Sequence, residues 1–546
     1  MGLSAPWGRL AWRDGDVCRT LTMRPTALSL PSPWPASLVA LAALGGCGPG
    51  PAEQGEATQQ QPNVLLVVID TLRADRLGIY GYDGGTSPLL DEYARDCFVF
   101  EDAQTVAPWT VPALISLMTS LRPDAHAVEV HRKLPRLPDR VDTLAEILSR
   151  GGYATAAFTE GGYAKGSFGL DQGFDHFPTH RGDARSYTSN QIHPSRLALN
   201  MDRLLGWLEE RPAEEPFFAF FQTYEVHAPF RAPVEVLRRF APDYDEESEH
   251  AACADALRRW NEGQRPSAAE LRLLQRHLLH CGWGGMPEPE RTAELVAWAG
   301  DQGVVLDRRA MALDPELLAW LDRIYDAEIA YTDQVLQRLW DALEERGRAE
   351  DTIVVIVSDH GEGLGQHGDL GHGRLLHDEL LRIALLVKVP GDELTPRRIT
   401  RRVRLIDVAP TVLELLDLSA GGTPLSGESL VPLLRGEVDE PPASIGHVEA
   451  WGAYAHSVRA GDWKLLVDHT RNTTSLFDVA ADPGELVDLA QGHPEVVARL
   501  EAVLDERREQ DQQLREQFGA GEDAAVIDDA TQQDLEGLGY TGSDDE

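Results

Sequence analysis

The sequence predicts an α/β fold in which a doubly wound, mostly parallel sheet is flanked by helices. Two continuous apolar runs rich in β-branched residues, 63–69 and 352–357, are typical of strands buried on both faces of a parallel sheet. Segments with a helical period lie between the candidate strands, for example over 141–148, 197–208 and 325–343. This alternation of strands and helices is the pattern of a doubly wound sheet.

Three further apolar runs, at 155–158, 217–221 and 383–389, predict additional strands. The polar stretch at about 232–316 has helical patterning, and we interpret it as an insertion over one edge of the sheet. Beyond about residue 420 the pattern changes to shorter strands, which predicts a smaller C-terminal α+β subdomain and a polar tail over 421–546. The strongly polar residues from about 509 to 530 are expected to be loosely ordered.

Composition limits the classes of function. The chain has 546 residues, of which 89 are acidic and 50 basic, and its formal net charge is -39. Such a field repels phosphate backbones, so we expect no nucleic-acid partner. The hydrophobic fraction of 42% is close to the globular average, which argues against wholesale disorder and against a protein with many membrane spans.

The N-terminal residues 1–47 have the features of an export signal. An apolar run at 37–44 is followed by Gly45-Gly46-Cys47, which resembles the lipobox of bacterial lipoproteins, and Met23 is the start site that gives a normal short basic region. The resemblance implies that Cys47 is lipidated, that 48–61 is a flexible tether, and that the protein is exported to the bacterial cell envelope and held at the membrane by the lipid.

Acidic residues follow the two most apolar strands. Asp70 comes after the first run, and Asp359 with His360 comes after the run at 352–357. Because the carboxyl ends of parallel strands meet at one edge, we expect these side chains to converge on one divalent metal ion. Ca²⁺, Mg²⁺, Mn²⁺ and Zn²⁺ all accept this ligand set, and the histidine favours Mn²⁺ or Zn²⁺. The alternative is that each aspartate only caps the following helix.

Thr110 is the candidate nucleophile. It lies just ahead of Pro112, a residue suited to the first turn of a helix, and a helix start offers N–H groups to an oxyanion. A divalent cation can convert a threonine hydroxyl into an alkoxide near neutral pH. The alternative is that Thr110 only caps the helix.

An ordered set of short motifs extends these expectations. They occur over residues 62–490 and comprise 63–75, the segment after Thr110, 173–175, 227–229, 325–331, 358–362 and 461–465. In this order they resemble the sulfatases of the alkaline phosphatase superfamily. The resemblance implies a catalytic domain at 62–420 with the fold of that superfamily.

By that resemblance Asp70, Asp359 and His360 correspond to metal ligands, and Thr110 occupies the position of the nucleophile. His227 corresponds to an active-site histidine that contacts the substrate or its leaving group. His372 stands where many sulfatases have a substrate-binding lysine. For these two histidines a purely structural role is the alternative.

The chain departs from the sulfatase pattern at three places. Thr110 and Leu114 stand where sulfatases have the cysteine or serine and the arginine of the formylglycine motif, and threonine cannot yield that aldehyde. The segment 159–163 replaces a Lys-Trp-His segment, and Thr71 replaces a second acid. A pocket with fewer cations favours a less charged substrate. Threonine is the nucleophile in related phosphodiesterases and phosphoethanolamine transferases.

The sequence therefore predicts a metal-dependent hydrolase of sulfate or phosphate esters, with a phosphodiester as the preferred substrate. A small molecule, a glycan or a lipid supplies the ester. A phospho-group transferase and an inactive binding lipoprotein that retains the fold are the alternatives. The sequence contains no signal for a particular oligomeric state.

Overall fold

The apolar runs form the strands of a central sheet in the computed structural model, which describes residues 61–128, 135–178, 196–281, 289–304, 306, 314–437, 441–520, 524–528, 531–532 and 535. These residues belong to one compact unit, 59–546. Their strands, in chain order, are β1 (Asn63–Ile69), β2 (Phe98–Phe100), β3 (Ala103–Gln104), β4 (Ala154–Phe158), β5 (Phe217–Thr223), β6 (Thr352–Val357), β7 (Gly363–Leu364), β8 (Leu370–Gly371), β9 (Arg382–Ile383), β10 (Leu385–Lys388), β11 (Arg398–Ile399), β12 (Val403–Arg404), β13 (Ser444–Ala450), β14 (Ala453–Ala460), β15 (Trp463–Asp468) and β16 (Thr473–Asp478). Their α-helices are α1 (Pro88–Tyr93), α2 (Thr110–Thr119), α3 (Pro123–His126), α4 (Leu144–Arg150), α5 (Arg196–Glu209), α6 (Val234–Phe240), α7 (Glu246–Asn261), α8 (Ala268–Cys281), α9 (Pro289–Asp301), α10 (Pro315–Glu345), α11 (Asp378–Leu381), α12 (Val408–Leu415), α13 (Val431–Arg435) and α14 (Pro494–Phe518).

The central sheet has seven strands in the order β11-β2-β10-β6-β1-β5-β4. Strand β1 pairs in parallel with both β5 and β6, and β4 pairs in parallel with β5. Strand β10 is antiparallel to its neighbours β6 and β2. The predicted fold class, a mostly parallel sheet with flanking helices, is confirmed. The single predicted strand at 383–389 is instead divided into β9 and β10, which belong to different sheets.

The continuous apolar character of β1 follows from its position in the middle of this sheet. Val64, Leu66 and Val68 point into a core on one face, whereas Leu65 and Val67 point into a second core on the other face. Both faces are covered, so every position of the strand after its first residue, the buried Asn63, is apolar. The next polar residue along the chain is Asp70, at the site described below.

Helix α10 is the longest helix of the described residues and packs on one face of the sheet. It begins sharply because Asp314 caps it, accepting hydrogen bonds from the backbone N–H groups of Glu316 and Leu317 at 3.0 and 3.3 Å. Helices α6, α7, α8 and α9 precede it within the stretch interpreted from the sequence as a helical insertion.

The C-terminal strands form a separate antiparallel sheet in the order β13-β14-β15-β16. Its small core lies between the sheet and α14 and contains Ile445, Val458, Leu465, Leu476 and Leu500. This confirms a C-terminal α+β unit. The expectation that residues from about 509 onward are loosely ordered is wrong for the first part of that stretch, because α14 continues to Phe518.

A buried ion pair connects this part of α14 to Arg122, which directly precedes α3. The Asp511 carboxylate accepts two hydrogen bonds of 2.7 Å from the Arg122 guanidinium, and both side chains are almost fully buried. Sequence polarity was misleading here because the helix uses one polar residue, Asp511, for a specific buried contact.

The predicted export signal, its Cys47 and the tether lie outside the described residues. Within the part of the chain that the structure describes, no helix has both the length and the apolar character needed to cross a bilayer.

Candidate active site and metal centre

Asp70, Asp359 and His360 meet at the carboxyl edge of the central sheet. Asp70 directly follows β1, and Asp359 and His360 follow the adjacent parallel strand β6. One side-chain atom from each of the three residues lies within 4.8 Å of the others. All three side chains are fully buried.

The carboxylate oxygens of this group fit a divalent cation. Asp70 Oδ1 and Asp359 Oδ2 are buried and have no hydrogen-bond partner. Burial, and then the neighbouring Asp359, raises the pKa of Asp70 well above its usual value, and burial also raises the pKa of Asp359. Two buried carboxylates this close are costly unless a positive charge lies between them. A bound metal ion would supply that charge, with Asp70, Asp359 and His360 as its ligands.

Backbone groups hold these side chains in place. Asp359 Oδ1 accepts hydrogen bonds from the N–H groups of Thr71 and His360 at 3.3 and 2.9 Å. His360 Nδ1 lies 2.9 Å from the carbonyl oxygen of Gly361, which can only accept, so Nδ1 carries the proton. The lone pair of His360 Nε2 therefore faces the two carboxylates, as a metal ligand requires. Thr71, which replaces a second acid of the sulfatase pattern, serves this site through its backbone.

Thr110 is the first residue of α2, and its hydroxyl group points into the site. Thr110 Oγ1 donates a hydrogen bond of 3.0 Å to Asp70 Oδ2 and lies 3.5 Å from His360 Nε2. The N-cap position belongs to Trp109, so the capping alternative for Thr110 is wrong. Leu114, one turn further along the helix, is completely buried in the core and offers no polar group to a substrate.

A row of imidazole rings extends from the metal centre. The ring centroid of His372 lies 4.6 Å from that of His360 and 4.9 Å from that of His227. The Glu362 carboxylate lies 3.1 Å from His372 Nδ1. Burial, followed by the effect of His372, lowers the pKa of His227 to about 3, so His227 is neutral at physiological pH.

The structure thus brings the six residues chosen from the sequence into one cluster, and it adds Glu362. Glu362 occurs in the same short motif as Asp359 and His360, so its position in the sequence was a usable signal.

A second addition, Trp451, comes from the C-terminal sheet. Trp451 and Gly452 form the two-residue turn between β13 and β14, and both have left-handed φ angles, 45° and 76°. The Trp451 ring packs edge-on against Trp109, with 5.2 Å between ring centroids. It also covers Gly373, where an added Cβ would lie 2.1 Å from the ring. No sequence signal links Trp451 to Thr110, because the two are far apart in the chain.

Comparison with known protein families gives two matches. The family model described as "Sulfatase" matches residues 62–418, which is more than half of the chain. The model described as "N-sulphoglucosamine sulphohydrolase, C-terminal" matches residues 365–510.

Individual relatives agree with these matches. The Delta 4,5-hexuronate-2-O-sulfatase of Bacteroides thetaiotaomicron is 24% identical over 476 residues, covering 82% of this chain and 89% of the relative. The solved phosphonate monoester hydrolase of Agrobacterium radiobacter has a TM-score of 0.60 at 23% identity, covering 84% of this chain and 96% of that one. A protein solved with its substrate, D-glucosamine-2-N,6-O-disulfate, has a TM-score of 0.62 at 20% identity and covers 85% of this chain and 99% of that one. At these identities the solved structures establish the fold.

Proposed function

The chain belongs to the sulfatase family, and on that premise we propose that it hydrolyses a sulfate or phosphate ester with Thr110 as the nucleophile. As a sulfatase homologue it is an ester hydrolase. The observation that carries the proposal is the 3.0 Å hydrogen bond from the Thr110 hydroxyl to Asp70, beside two buried carboxylate oxygens without partners.

A divalent metal held by Asp70, Asp359 and His360 would supply Lewis-acid chemistry at the threonine hydroxyl group. Asp70 Oδ2 accepts the hydrogen bond of that hydroxyl and orients Thr110 Oγ1 towards the incoming ester. The Thr110 oxygen forms a bond to phosphorus or sulfur while its proton passes to Asp70 Oδ2, and the bond from phosphorus or sulfur to the ester oxygen breaks. Water then cleaves the threonine ester and regenerates the hydroxyl group.

His372 is better suited than His227 to give a proton to the leaving oxygen. Glu362 lies beside His372 Nδ1, and a carboxylate in that place orients the ring as the carboxylate partner of a general-acid histidine does. His227 is neutral because of its low pKa, so its role is that of a neutral hydrogen-bonding group on the substrate. These roles are parts of the same proposal.

Cationic side chains of the sulfatase pattern are replaced at two places in this chain, and this supports a substrate that carries a single negative charge. Leu114 replaces an arginine of the sulfatase motif, and the segment 159–163 lacks the lysine and histidine of that family. Sulfate esters, phosphodiesters and phosphonate monoesters carry one negative charge, whereas phosphomonoesters carry two near neutral pH. We therefore expect turnover of the first three classes to exceed that of phosphomonoesters. The fold shared with a phosphonate monoester hydrolase is compatible with this preference.

The test uses the full chain with a panel of these four ester classes, and Thr110→Ala beside Thr110→Ser. Loss of the nucleophile should lower kcat by at least about a thousandfold, while the serine variant keeps a hydroxyl group and should retain measurable turnover. Metal content should be the same in both variants. Peptide mass spectrometry of the quenched wild-type reaction should find the phosphoryl or sulfuryl group on Thr110. Full turnover by Thr110→Ala contradicts the covalent role, and transfer to an acceptor alcohol in preference to water identifies a transferase.

We also propose that Cys47 carries a lipid that anchors the protein in the bacterial cell envelope. The support is the apolar run and the small residues ahead of Cys47. A Cys47→Ser variant should move from the membrane fraction to the soluble fraction, and mass spectrometry of the wild-type N-terminus should find diacylglycerol on Cys47. An unmodified Cys47 within an uncleaved chain contradicts this proposal.

A further inference from the structure

A second group of possible metal ligands lies where the C-terminal sheet meets the segment that follows α2. His447 on β13 and His456 on β14 face each other as a directly opposed pair of antiparallel strands. Their rings are stacked, with centroids 4.3 Å apart and planes 11° apart. Asp124, in the first turn of α3, reaches both rings. The two histidines are buried, with 3% and 0% of their surface exposed.

The distances in this group suit a tetrahedral ion. Asp124 Oδ1 lies 3.3 Å from His447 Nδ1, and Asp124 Oδ2 lies 3.1 Å from His456 Nε2. One ligand atom from each of the three residues lies within 4.8 Å of the others. A tetrahedral zinc ion, with bonds of about 2.0–2.1 Å, requires ligand atoms roughly 3.3 Å apart. The two separations from Asp124, 3.1 and 3.3 Å, match that spacing. The stacked imidazole rings, whose planes are 11° apart, would turn on binding so that both in-plane lone pairs meet at the ion.

A second contact fixes the orientation of the His456 ring, as is usual for a histidine that binds a metal. Its second nitrogen, Nδ1, lies 2.9 Å from His469 Nε2. His469 in turn packs on Tyr454, with ring centroids 4.5 Å apart. In metal sites a hydrogen bond to the second ring nitrogen fixes the tautomer and orientation of the ligating histidine.

We propose that Asp124, His447 and His456 form a second metal site, distinct from the one at Asp70, and that it binds Zn²⁺ or a similar divalent transition metal. Two imidazoles and one carboxylate favour such ions over Ca²⁺ and Mg²⁺, which prefer oxygen ligands. Water completes the coordination.

The site would be structural, because it joins two parts of the chain that no single element spans. Its Asp124 lies on α3, and His126 of the same helix is hydrogen-bonded to Ser116 of α2 at 3.0 Å. Helix α2 begins at Thr110. The ion would therefore tie the C-terminal sheet to the neighbour of the helix that carries the nucleophile.

A third cluster is less suited to a metal. His367, His377 and Glu485 also come close together. However, the ammonium group of Lys464 lies 2.6 Å from Glu485 Oε1 and already supplies the positive charge there.

Zinc content of the full chain tests the proposal. The Asp70→Asn/Asp359→Asn double variant removes two ligands of the first site and isolates the second. After loading with zinc sulfate and dialysis, this variant should retain about one zinc per chain by mass spectrometry of the metal. Adding His456→Ala should reduce the zinc to background. Adding His493→Ala instead removes an imidazole of the same subdomain that lies outside the cluster. The zinc content should then stay unchanged.

Two results overturn the proposal: no zinc in the double variant, or equal zinc with and without His456. The three ligands would then form only a hydrogen-bonded network. If circular dichroism shows that the His456→Ala chain does not fold, Asp124→Asn decides the question. That variant keeps the shape of the side chain and one acceptor oxygen but removes the carboxylate charge, and it should fold without retaining zinc.

Discussion

Glu160 is a buried carboxyl group with incomplete hydrogen bonding. Its Oε2 accepts a hydrogen bond from the Tyr224 N–H at 3.1 Å, whereas Oε1 is buried without a partner. Burial raises the pKa of Glu160 to about 7, although contacts with Thr223, Tyr224 and Arg196 oppose the shift. The folded protein therefore holds a proton here that the unfolded chain releases at a lower pH.

The pH dependence of the stability follows from the difference between the pKa of Glu160 in the folded protein, about 7, and its unfolded value near 4.5. The stability that protonated Glu160 contributes is fully present below its unfolded pKa near 4.5 and is lost as the pH rises through about 7. Glu160→Gln, which cannot ionise, should escape this loss. Urea unfolding should show that the variant gains roughly 2–3 kcal/mol over wild type between pH 5 and pH 8.

The matched control is Glu501→Gln, at an exposed position of α14. It removes the same charge without changing a buried group, so its stability relative to wild type should hardly depend on pH. Equal pH dependence in the two variants would contradict the assigned pKa of Glu160.

For individual residues, the sequence was informative where possible metal ligands directly follow buried strands. Asp70, Asp359 and His360 follow the two most apolar strands, and β1 and β6 are adjacent. Trp451 and the Asp124 group could not be predicted in the same way, because antiparallel pairing and packing between subdomains bring them into place. The local pattern around Asp124, His447 and His456 does not identify which distant residues will be their partners.

Among the elements, the loop after β8 is shaped by glycine. Gly373 has a φ of 92°, and the Trp451 ring occupies the space where a side chain would start. Gly373→Ala should displace Trp451 or the adjacent His372. Because a shift of about 1 Å in a catalytic group can cost a hundredfold in rate, we expect kcat to fall by about that factor. Steady-state kinetics on the preferred ester measures the effect.

Gly368 provides the control for this substitution. It has a similar left-handed φ of 70°, but an added Cβ would contact nothing within 4 Å. Gly368→Ala should cost about 1 kcal/mol of stability from backbone strain and leave kcat nearly unchanged. A comparable kcat loss in both variants would assign the effect to backbone strain and not to the packing of Trp451.

Helix α14 provides a second prediction at the scale of an element. Asp511→Ala removes the partner of the buried Arg122 guanidinium and should lower the free energy of unfolding by about 3–5 kcal/mol. Chemical denaturation followed by circular dichroism measures this. Asp505→Ala, at an exposed position of the same helix, should change stability by less than about 0.5 kcal/mol. Equal effects would mean that the ion pair does not hold the helix.

For the molecule as a whole, the formal charge of -39 implies strong repulsion within the folded chain. Salt screens this repulsion, since the Debye length falls from about 30 Å at 0.01 M to about 8 Å at 0.15 M. The melting temperature should therefore rise by several degrees over that range in differential scanning fluorimetry. Sodium and potassium chloride should act alike, and a melting temperature that falls with either salt contradicts the expectation.

The overall architecture was largely predictable because buried parallel strands have continuous apolar sequences. The antiparallel direction of β10 was not, since its apolar sequence resembles those of the parallel strands β1 and β6 and only the chain path fixes its direction. The end of order near residue 509 was wrongly predicted, because composition does not reveal that Asp511 has a buried partner. Both cases depend on contacts between distant parts of the chain.

The Arg122–Asp511 contact also bears on how the protein is made. The two residues are 389 positions apart, and a ribosome adding about 5–20 residues per second needs roughly 20–80 s to cover that distance. Throughout that interval the nascent chain holds a guanidinium group whose carboxylate has not yet been synthesised. The half of the molecule that carries Thr110 is translated first, but it reaches its final packing only after α14 has emerged.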